Sequence, residues 1–263
     1  MLQTYLFEYL KFTVLTDVQT RLLVSRSSRK SGLAEVEVIA GPSSGQKLKR
    51  NPQDVGVFLG ALNVIREDNV DFEQLPELLK DALSKYTDLL TEHRQLDYSR
   101  IMMDALAALY DDAPDRRRLQ ETLGKRVRYL TIDEYQDVNP LQERLIRRLQ
   151  QLGANVCVVG DDDQAIYQWR GSEIRNILDF AKRYTSVRSI TLADNFRSSA
   201  GVVNAGRLLA EKNDPDRLPK TMNAAGHQPF ERGDLLALTA PGYVRHEVRA
   251  WRKRAAQRLV QKS

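Results

Sequence analysis

Three short strings concentrate residue types able to act on a phosphate group. The first is Asp133-Glu134-Tyr135-Gln136-Asp137, which directly follows the apolar run Tyr129-Leu130-Thr131-Ile132. In an open α/β sheet, ligands bind at the carboxyl ends of the strands, where these acids fall. One carboxylate there can hold a magnesium ion and a second can orient the water that attacks a terminal phosphate. Asp133 suits the first role and Glu134 the second, although two acids after a strand also suit a solvated acidic turn.

The second string runs Val158-Val159-Gly160-Asp161-Asp162-Asp163-Gln164-Ala165-Ile166-Tyr167-Gln168-Trp169-Arg170-Gly171-Ser172. The Gln164 amide can hydrogen-bond a γ-phosphate, and Tyr167 and Trp169 offer flat faces to unstacked bases. Arg170 can pair with a phosphate or stack beside them. The same aromatics also suit an apolar core, and the aspartates a polar turn. The spacing lacks the glycine and bidentate glutamate of a calcium loop. The third string is Leu192-Ala193-Asp194-Asn195-Phe196-Arg197-Ser198-Ser199, in which Arg197 can reach a phosphate and Phe196 can stack on a base.

The elements that must position these strings alternate between strand and helix. Apolar runs at Val127–Ile132, Val156–Val159 and Ser189–Leu192 have strand length, and amphipathic stretches follow each. That rhythm predicts a parallel α/β sheet. The first helix is expected from Asn139 as cap, with Pro140 in its first turn and Leu141, Leu145, Ile146, Leu149 and Leu152 on one face, up to Gly153. The second is expected to open at Ser172 and bury Ile174, Ile177, Leu178 and Ala181, and the third to run through Val202, Val203, Leu208 and Leu209. From Thr16 to about Ala113, helical periodicity dominates, as at Leu75, Leu78, Leu79 and Leu83. Turn clusters at Gly41–Gly45 and Asn51-Pro52 separate those helices.

In order and spacing the three strings resemble motifs of the UvrD/Rep-like superfamily 1 DNA helicases: the Walker B motif, the glutamine-containing motif after it, and an asparagine-aromatic-arginine-serine motif. The resemblance is clear from Leu96 to about Ser199 and extends weakly to Leu238. Leu96-Asp97-Tyr98-Ser99 looks like the acidic-aromatic segment before Walker B, and Phe12 to Leu23 like the stretch leading into a helical accessory domain. It implies ATP and Mg2+ as ligands, single-stranded or partly duplex DNA as partner, and 3′-to-5′ unwinding coupled to hydrolysis. By that resemblance, Asp133 is the metal ligand, Glu134 the base, and Gln164 the link between γ-phosphate and DNA. Gln136 and Asp137 belong to the nucleotide side of the site. Tyr167, Trp169 and Arg170 face single-stranded DNA, and Phe196 and Arg197 meet adenine and γ-phosphate from a second lobe.

The implied fold class is α/β: a partial RecA-like parallel sheet, a helical accessory domain and the start of a second RecA-like lobe. Residues 1–115 form the mostly helical region, 116–187 the partial nucleotide lobe, and 188–240 the start of the second lobe. Residues 241–263 are a basic tail resembling nothing in the family. That tail carries Arg245, Arg249, Arg252, Arg254 and Arg258, and Asp234–Leu238 before it reads as a strand.

The sequence departs from the family pattern at one decisive place. A Walker A loop, glycine, any four residues and then Gly-Lys-Ser or Gly-Lys-Thr, occurs nowhere in the 263 residues. Gly41-Pro42-Ser43-Ser44-Gly45-Gln46-Lys47 has its second glycine one residue early and glutamine, not lysine, directly after it, so its amides are out of register for a phosphate cradle. Further C-terminal motifs with DNA contacts and a second arginine are also missing. Two explanations fit: an interrupted helicase gene, or a chain keeping only nucleic-acid contacts.

Bulk composition sets wider bounds. The net charge of +5 mildly favours a polyanionic partner. The single cysteine, Cys157, excludes an internal disulfide and fits a reducing compartment, so cytoplasm is expected. Met1–Leu15 is interrupted by Glu8 and Lys11 and reads as no signal peptide, and no stretch reaches the roughly 18 apolar residues of a membrane span.

Overall fold

The structure, a computed structural model, describes residues 2–37, 45–68, 70–165, 173–214 and 217–226. The chain divides into two compact units, Met1–Val187 and Arg188–Ser263. The expected Gly41–Ser44 part of the turn, the Ser172 cap, the Asp234–Leu238 strand and the basic tail lie outside the described residues.

The first unit is a mixture of helices and short parallel strand pairs. In chain order it contains α1 (Leu2–Tyr5), β1 (Thr13–Val14), α2 (Asp17–Arg26), α3 (Pro52–Glu67), α4 (Glu77–Glu92) and β2 (Gln95–Leu96). There follow α5 (Tyr98–Tyr110), α6 (Pro114–Arg126), β3 (Tyr129–Ile132), α7 (Pro140–Gln151), β4 (Asn155–Val158), α8 (Arg175–Leu178) and α9 (Phe180–Arg183). β1 pairs in parallel with β2, Thr13 opposite Gln95 and Val14 opposite Leu96. The chain therefore leaves after β1, builds α2, α3 and α4, and returns at β2 to the same place.

Local chemistry fixes where the helices start. Thr16 and Gln19 form a reciprocal capping box at α2, and Asn139 and Gln142 form another at α7. Asn51 caps α3 with Pro52 in its first turn, so the Asn51-Pro52 pair expected as a separating turn is instead a helix start. Asp97 caps α5 by accepting the Arg100 N–H at 2.8 Å. α2 to α4 bury Val24, Phe58, Leu62, Tyr86 and Leu90 together. A second cluster joins Leu6, Ala105 and Leu109 to Leu119 and Leu123, with Leu145, Leu149 and Leu152 of α7 packed against it. Leu75 precedes α4 rather than joining its periodic face, and Leu78 stays exposed.

β3 and β4 form the strand pair that carries the site. They run parallel over their whole length, from Tyr129 opposite Asn155 to Ile132 opposite Val158. Leu130, Ile132, Val156 and Val158 pack on a core of Tyr135, Val138 and Ile146, whereas Tyr129, Thr131, Asn155 and Cys157 are exposed. Side chains alternate across a strand, so this pair is covered on one face only among the described residues. α7 crosses back from β3 to β4 and ends where Gly153 takes φ +108°.

Two expectations near the unit boundary need correction. The segment expected as one helix from Ser172 is, in its described part, two short helices, α8 and α9, broken at Asp179, and Ala181 is exposed. The strand expected at Ser189–Leu192 has no ladder partner: Ile190 and Leu192 are exposed, Leu192 at 87%, so that apolar run has no core to enter. Pairing begins two residues later. In the second unit β5 (Asp194–Asn195) lies parallel to β6 (Asn223–Ala224), and α10 (Ala200–Ala210) buries Val203 while Leu208 and Leu209 remain exposed.

Candidate nucleotide site

The carboxyl ends of β3 and β4 bring the first two strings together. The ladder continues past the strands through Val159 N–H to the Ile132 carbonyl at 2.8 Å and Tyr135 N–H to the Val159 carbonyl at 3.0 Å. Beyond these bonds, Asp133 and Glu134 are exposed at the strand end. Glu134 sits in the left-handed region, φ +50°, and the Asp133 carboxylate accepts the Glu134 N–H at 2.9 Å. A non-glycine residue held there is uncommon, and it persists only where neighbours over-determine it.

Those neighbours are visible. Tyr135 and Gln136, the two residues after the strained one, both turn inward, Gln136 to 2% exposure. The Gln136 Nε2 group donates to Glu134 Oε2 at 2.6 Å, and its Oε1 accepts the Asp161 N–H at 3.0 Å. Asp161 in turn accepts the Asp163 N–H at 3.2 Å through Oδ1 and the Gln164 Nε2 group at 2.7 Å through Oδ2. A hydrogen-bonded run thus leads from the Glu134 side chain through the Gln136 amide to the backbone N–H of Asp161, and from the Asp161 carboxylate to Gln164. Gly160 makes room for it: a Cβ at that position would stand 2.7 Å from Gln136 Oε1 and 2.9 Å from Ile177 Cδ1.

Behind the loop lies a second polar group. Tyr135 donates its hydroxyl to Glu143, Tyr184 donates to Glu143 Oε1 at 3.0 Å, and Arg183 stands 3.8 Å from the same oxygen. Burial, then the bond and charge of Glu143, push the Tyr135 hydroxyl pKa well above the usual phenol range. Phe180 closes the group, edge-on to Tyr135 and stacked on Tyr184. The Asn139 cap adds a tie to the helices, its Nδ2 group donating to Glu67 Oε2 at 2.8 Å.

Carboxylate oxygen is the donor type that hard divalent cations take, and Asp133 and Asp137 provide it here. Asp137 Oδ1 is buried without a hydrogen-bond partner, which fits an atom able to serve a cation or its bound water. The neighbouring Asp161, Asp162 and Asp163 carboxylates lie within 4.8 Å of one another, and each has a partner within the protein.

The third string belongs to the second unit. Asn195 Oδ1 accepts the N–H groups of Arg197 at 3.0 Å and Ser198 at 2.9 Å, a tight turn that leads into α10. It leaves Phe196 72% exposed and Arg197 exposed beside it. Tyr167, Trp169 and Arg170 lie outside the described residues. The sequence reading missed Glu143 and Tyr184, whose types give no local signal, and the bridging bonds of Gln136 and Asp161, which need the pairing of two distant loops.

No helix among the described residues is long and apolar enough to cross a membrane. Residues 60–185 match the family model described as the UvrD/REP helicase N-terminal domain. The chain is 30% identical over 196 residues to "ATP-dependent DNA helicase PcrA" of Bacillus subtilis (strain 168), covering 72% of this chain and 26% of that protein. It is 38% identical over 157 residues to "Putative ATP-dependent DNA helicase YjcD" of the same organism, covering 58% of this chain and 20% of that one. The PcrA protein of Staphylococcus aureus (strain Mu50 / ATCC 700699) is 35% identical over 155 residues, with the same two shares. The chain therefore spans about a quarter or less of the length of these relatives. The motif order, the strand-end geometry and these matches agree on one likeness: residues 60–185 of this chain are similar to the N-terminal domain of the UvrD/REP helicases.

Proposed function

We propose that the ends of β3 and β4 are the hydrolytic half of an ATP site in a RecA-like lobe, within a protein of the ATP-dependent, 3′-to-5′ DNA helicase type. Asp133, assisted by Asp137, would hold magnesium, which when bound neutralises charge on the phosphate oxygens. Glu134 orients the attacking water and takes its proton. Gln164 meets the γ-phosphate and passes its state to the DNA-facing residues Tyr167, Trp169 and Arg170. Residues from 188 onward begin a second lobe, whose Phe196 and Arg197 meet the adenine and the γ-phosphate. The DNA partner is single-stranded or partly duplex, and the compartment is the cytoplasm.

The observation that carries this reading is the hydrogen-bonded run from Glu134 to Gln164, which ties the water-orienting group of one strand-end loop to the phosphate-sensing group of the other. The test is turnover. The 263-residue chain alone should show no ATP hydrolysis stimulated by single-stranded DNA, because the phosphate cradle is missing from its sequence. Joining a segment with a Walker A loop to its N-terminus should produce that activity, and Glu134→Gln should abolish it. No gain after joining overturns the reading.

The missing Walker A loop also favours a second reading, single-strand binding without turnover. In that case affinity falls with salt, is indifferent to ATP, and drops on the order of tenfold with Trp169→Ala.

A further inference from the structure

Gln136 follows the two acids of the Walker B string, yet unlike them it is buried, at 2% exposure. Both ends of that amide are engaged. The Asp161 backbone N–H can only donate, so the atom facing it at 3.0 Å must be the Gln136 oxygen. The amide nitrogen is thereby aimed at Glu134, whose carboxylate, when ionised, can only accept, at 2.6 Å. Chemistry alone fixes the orientation, and a flipped amide would oppose donor to donor at one end and acceptor to acceptor at the other.

The far end of the run is equally specified. Asp161 carries the backbone N–H that Gln136 reads and the side-chain oxygen that Gln164 holds at 2.7 Å. Its other carboxylate oxygen is occupied by the Asp163 N–H, so the carboxylate cannot turn without breaking the local turn. Gly160 lies under the Gln136 oxygen, where a Cβ would intrude to 2.7 Å. The backbone on both sides is pinned by the Val159 and Tyr135 ladder bonds. A displacement of Gln164 toward a ligand therefore has to break its bond to Asp161 or move Asp161, and moving Asp161 moves the Gln136 amide and the Glu134 carboxylate with it.

We propose that Gln136 is a positioning residue that makes the placement of the Glu134 carboxylate depend on the state of the Asp161–Gln164 loop, rather than a residue that touches the nucleotide. This deepens the reading of Glu134 as base and Gln164 as phosphate sensor, and rests on it for its catalytic meaning. The physical link itself stands on the hydrogen bonds alone.

The test is a set of amide NMR spectra of the whole chain without nucleotide. Glu134 is exposed, so Glu134→Ala removes the acceptor with little other change in packing. In the native background that variant should shift the Gln136 side-chain amide protons upfield, as a charge-assisted bond is lost, and should also shift the backbone amide of Asp161 and the side-chain amide of Gln164. In the Gln136→Met background, similar in size but without a polar end, Glu134→Ala should leave the Asp161 and Gln164 signals in place. An unmoved Asp161 amide in the native background overturns the proposal, and so does an undiminished response in the Gln136→Met background. If Gln136→Met fails to fold, the native-background comparison decides alone. Because no ATP is present, failure here is separate from failure of the turnover experiment: hydrolysis with silent spectra sinks only the relay, and responsive spectra without hydrolysis sink only the enzymatic reading.

Discussion

Tyr135 and Glu143 meet hydroxyl to carboxylate in the interior behind the strained Glu134, the tyrosine fully buried and the glutamate nearly so. The bond joins the loop after β3 to the first turn of α7, and Tyr184 and Arg183 bring the α9 end to the same carboxylate. Tyr135→Phe keeps the ring against Phe180 and removes a hydrogen bond to a charged acceptor. A loss of about 1.5–3 kcal/mol is expected, a fall in Tm of roughly 3–10 °C for a chain of this size. Glu143→Leu should cost more than Tyr135→Phe, because it leaves two phenol hydroxyls and a guanidinium without their shared partner. Thermal unfolding followed by circular dichroism measures both, and equal stability of Tyr135→Phe and the parent would show that the bond contributes nothing net.

Gly160→Ala puts a methyl group where the Gln136 oxygen and the Ile177 side chain stand. Neither has a simple retreat, since Gln136 is bonded at both ends and Ile177 packs on the β3–β4 core. The expected destabilisation is about 1–3 kcal/mol, typical of one added carbon in a filled space. The Asp161 amide should shift in the same variant, while Asn155–Cys157 amides at the far end of β4 stay put. Urea unfolding and an amide spectrum report the two effects, and an unchanged midpoint would mean the site yields more readily than the contact distances imply.

Much of this architecture could be read from the sequence where one element carries its own signal. Asn139-Pro140 and the apolar spacing to Leu152 gave α7 almost to the residue, because capping and periodicity are local properties. β3 and β4 were legible as apolar runs, yet their one-sided burial was not: Thr131 and Cys157 look strand-like on either face, and only pairing decides which face is covered. Ser189–Leu192 failed for the complementary reason, since strand-like composition needs a partner and a core, and pairing instead falls on Asp194–Asn195. Nothing local announces two-residue strands such as β1 and β2, whose pairing spans the whole α2–α4 insertion. The acids of the site stood out by type and position, whereas the bridging role of Gln136 depends on Asp161, twenty-five residues away in sequence.

Deep in the helical part, Arg66 and Asp97 form an ion pair at 2.8 Å with side chains 4% and 9% exposed. Asp97 also accepts the Tyr86 hydroxyl at 2.7 Å and caps α5, so one carboxylate joins α3, α4 and α5. Asp97→Ala strands the Arg66 charge in the interior and removes the cap, and should cost about 3–5 kcal/mol. Asp97→Asn keeps the cap, but it loses the charge and turns the oxygen that faces Tyr86 and Arg66 into an amide donor; its cost should still be smaller than that of Asp97→Ala. Adding Arg66→Met to Asp97→Asn should recover part of the loss, because the stranded charge is then gone. Chemical denaturation of the three variants orders them, and a double variant less stable than Asp97→Asn alone would show that Arg66 contributes chiefly through its packing over the Tyr86 ring.

Alkaline pH should unfold the first unit through its buried phenols. Tyr9 is pushed up to about 12, by burial first and by the Asp104 carboxylate next. Tyr86, Tyr135 and Tyr184 are also raised, each by burial foremost and then by the carboxylate it faces, Asp97 or Glu143. A phenol whose pKa is higher folded than unfolded gives stability that is complete below about pH 10, where an unfolded tyrosine begins to ionise, and that drains away as pH rises through the folded value. Tm should therefore hold level up to about pH 9.5 and then fall steeply. Phenolate absorbance should rise in two stages, the second of them from the buried Tyr86, Tyr135 and Tyr184 and only with loss of helix signal. Tyr135→Phe should lower the amplitude of the second stage and flatten the fall in Tm. A single titration near pH 10 with the helix signal intact would show that those hydroxyls reach solvent in the folded chain.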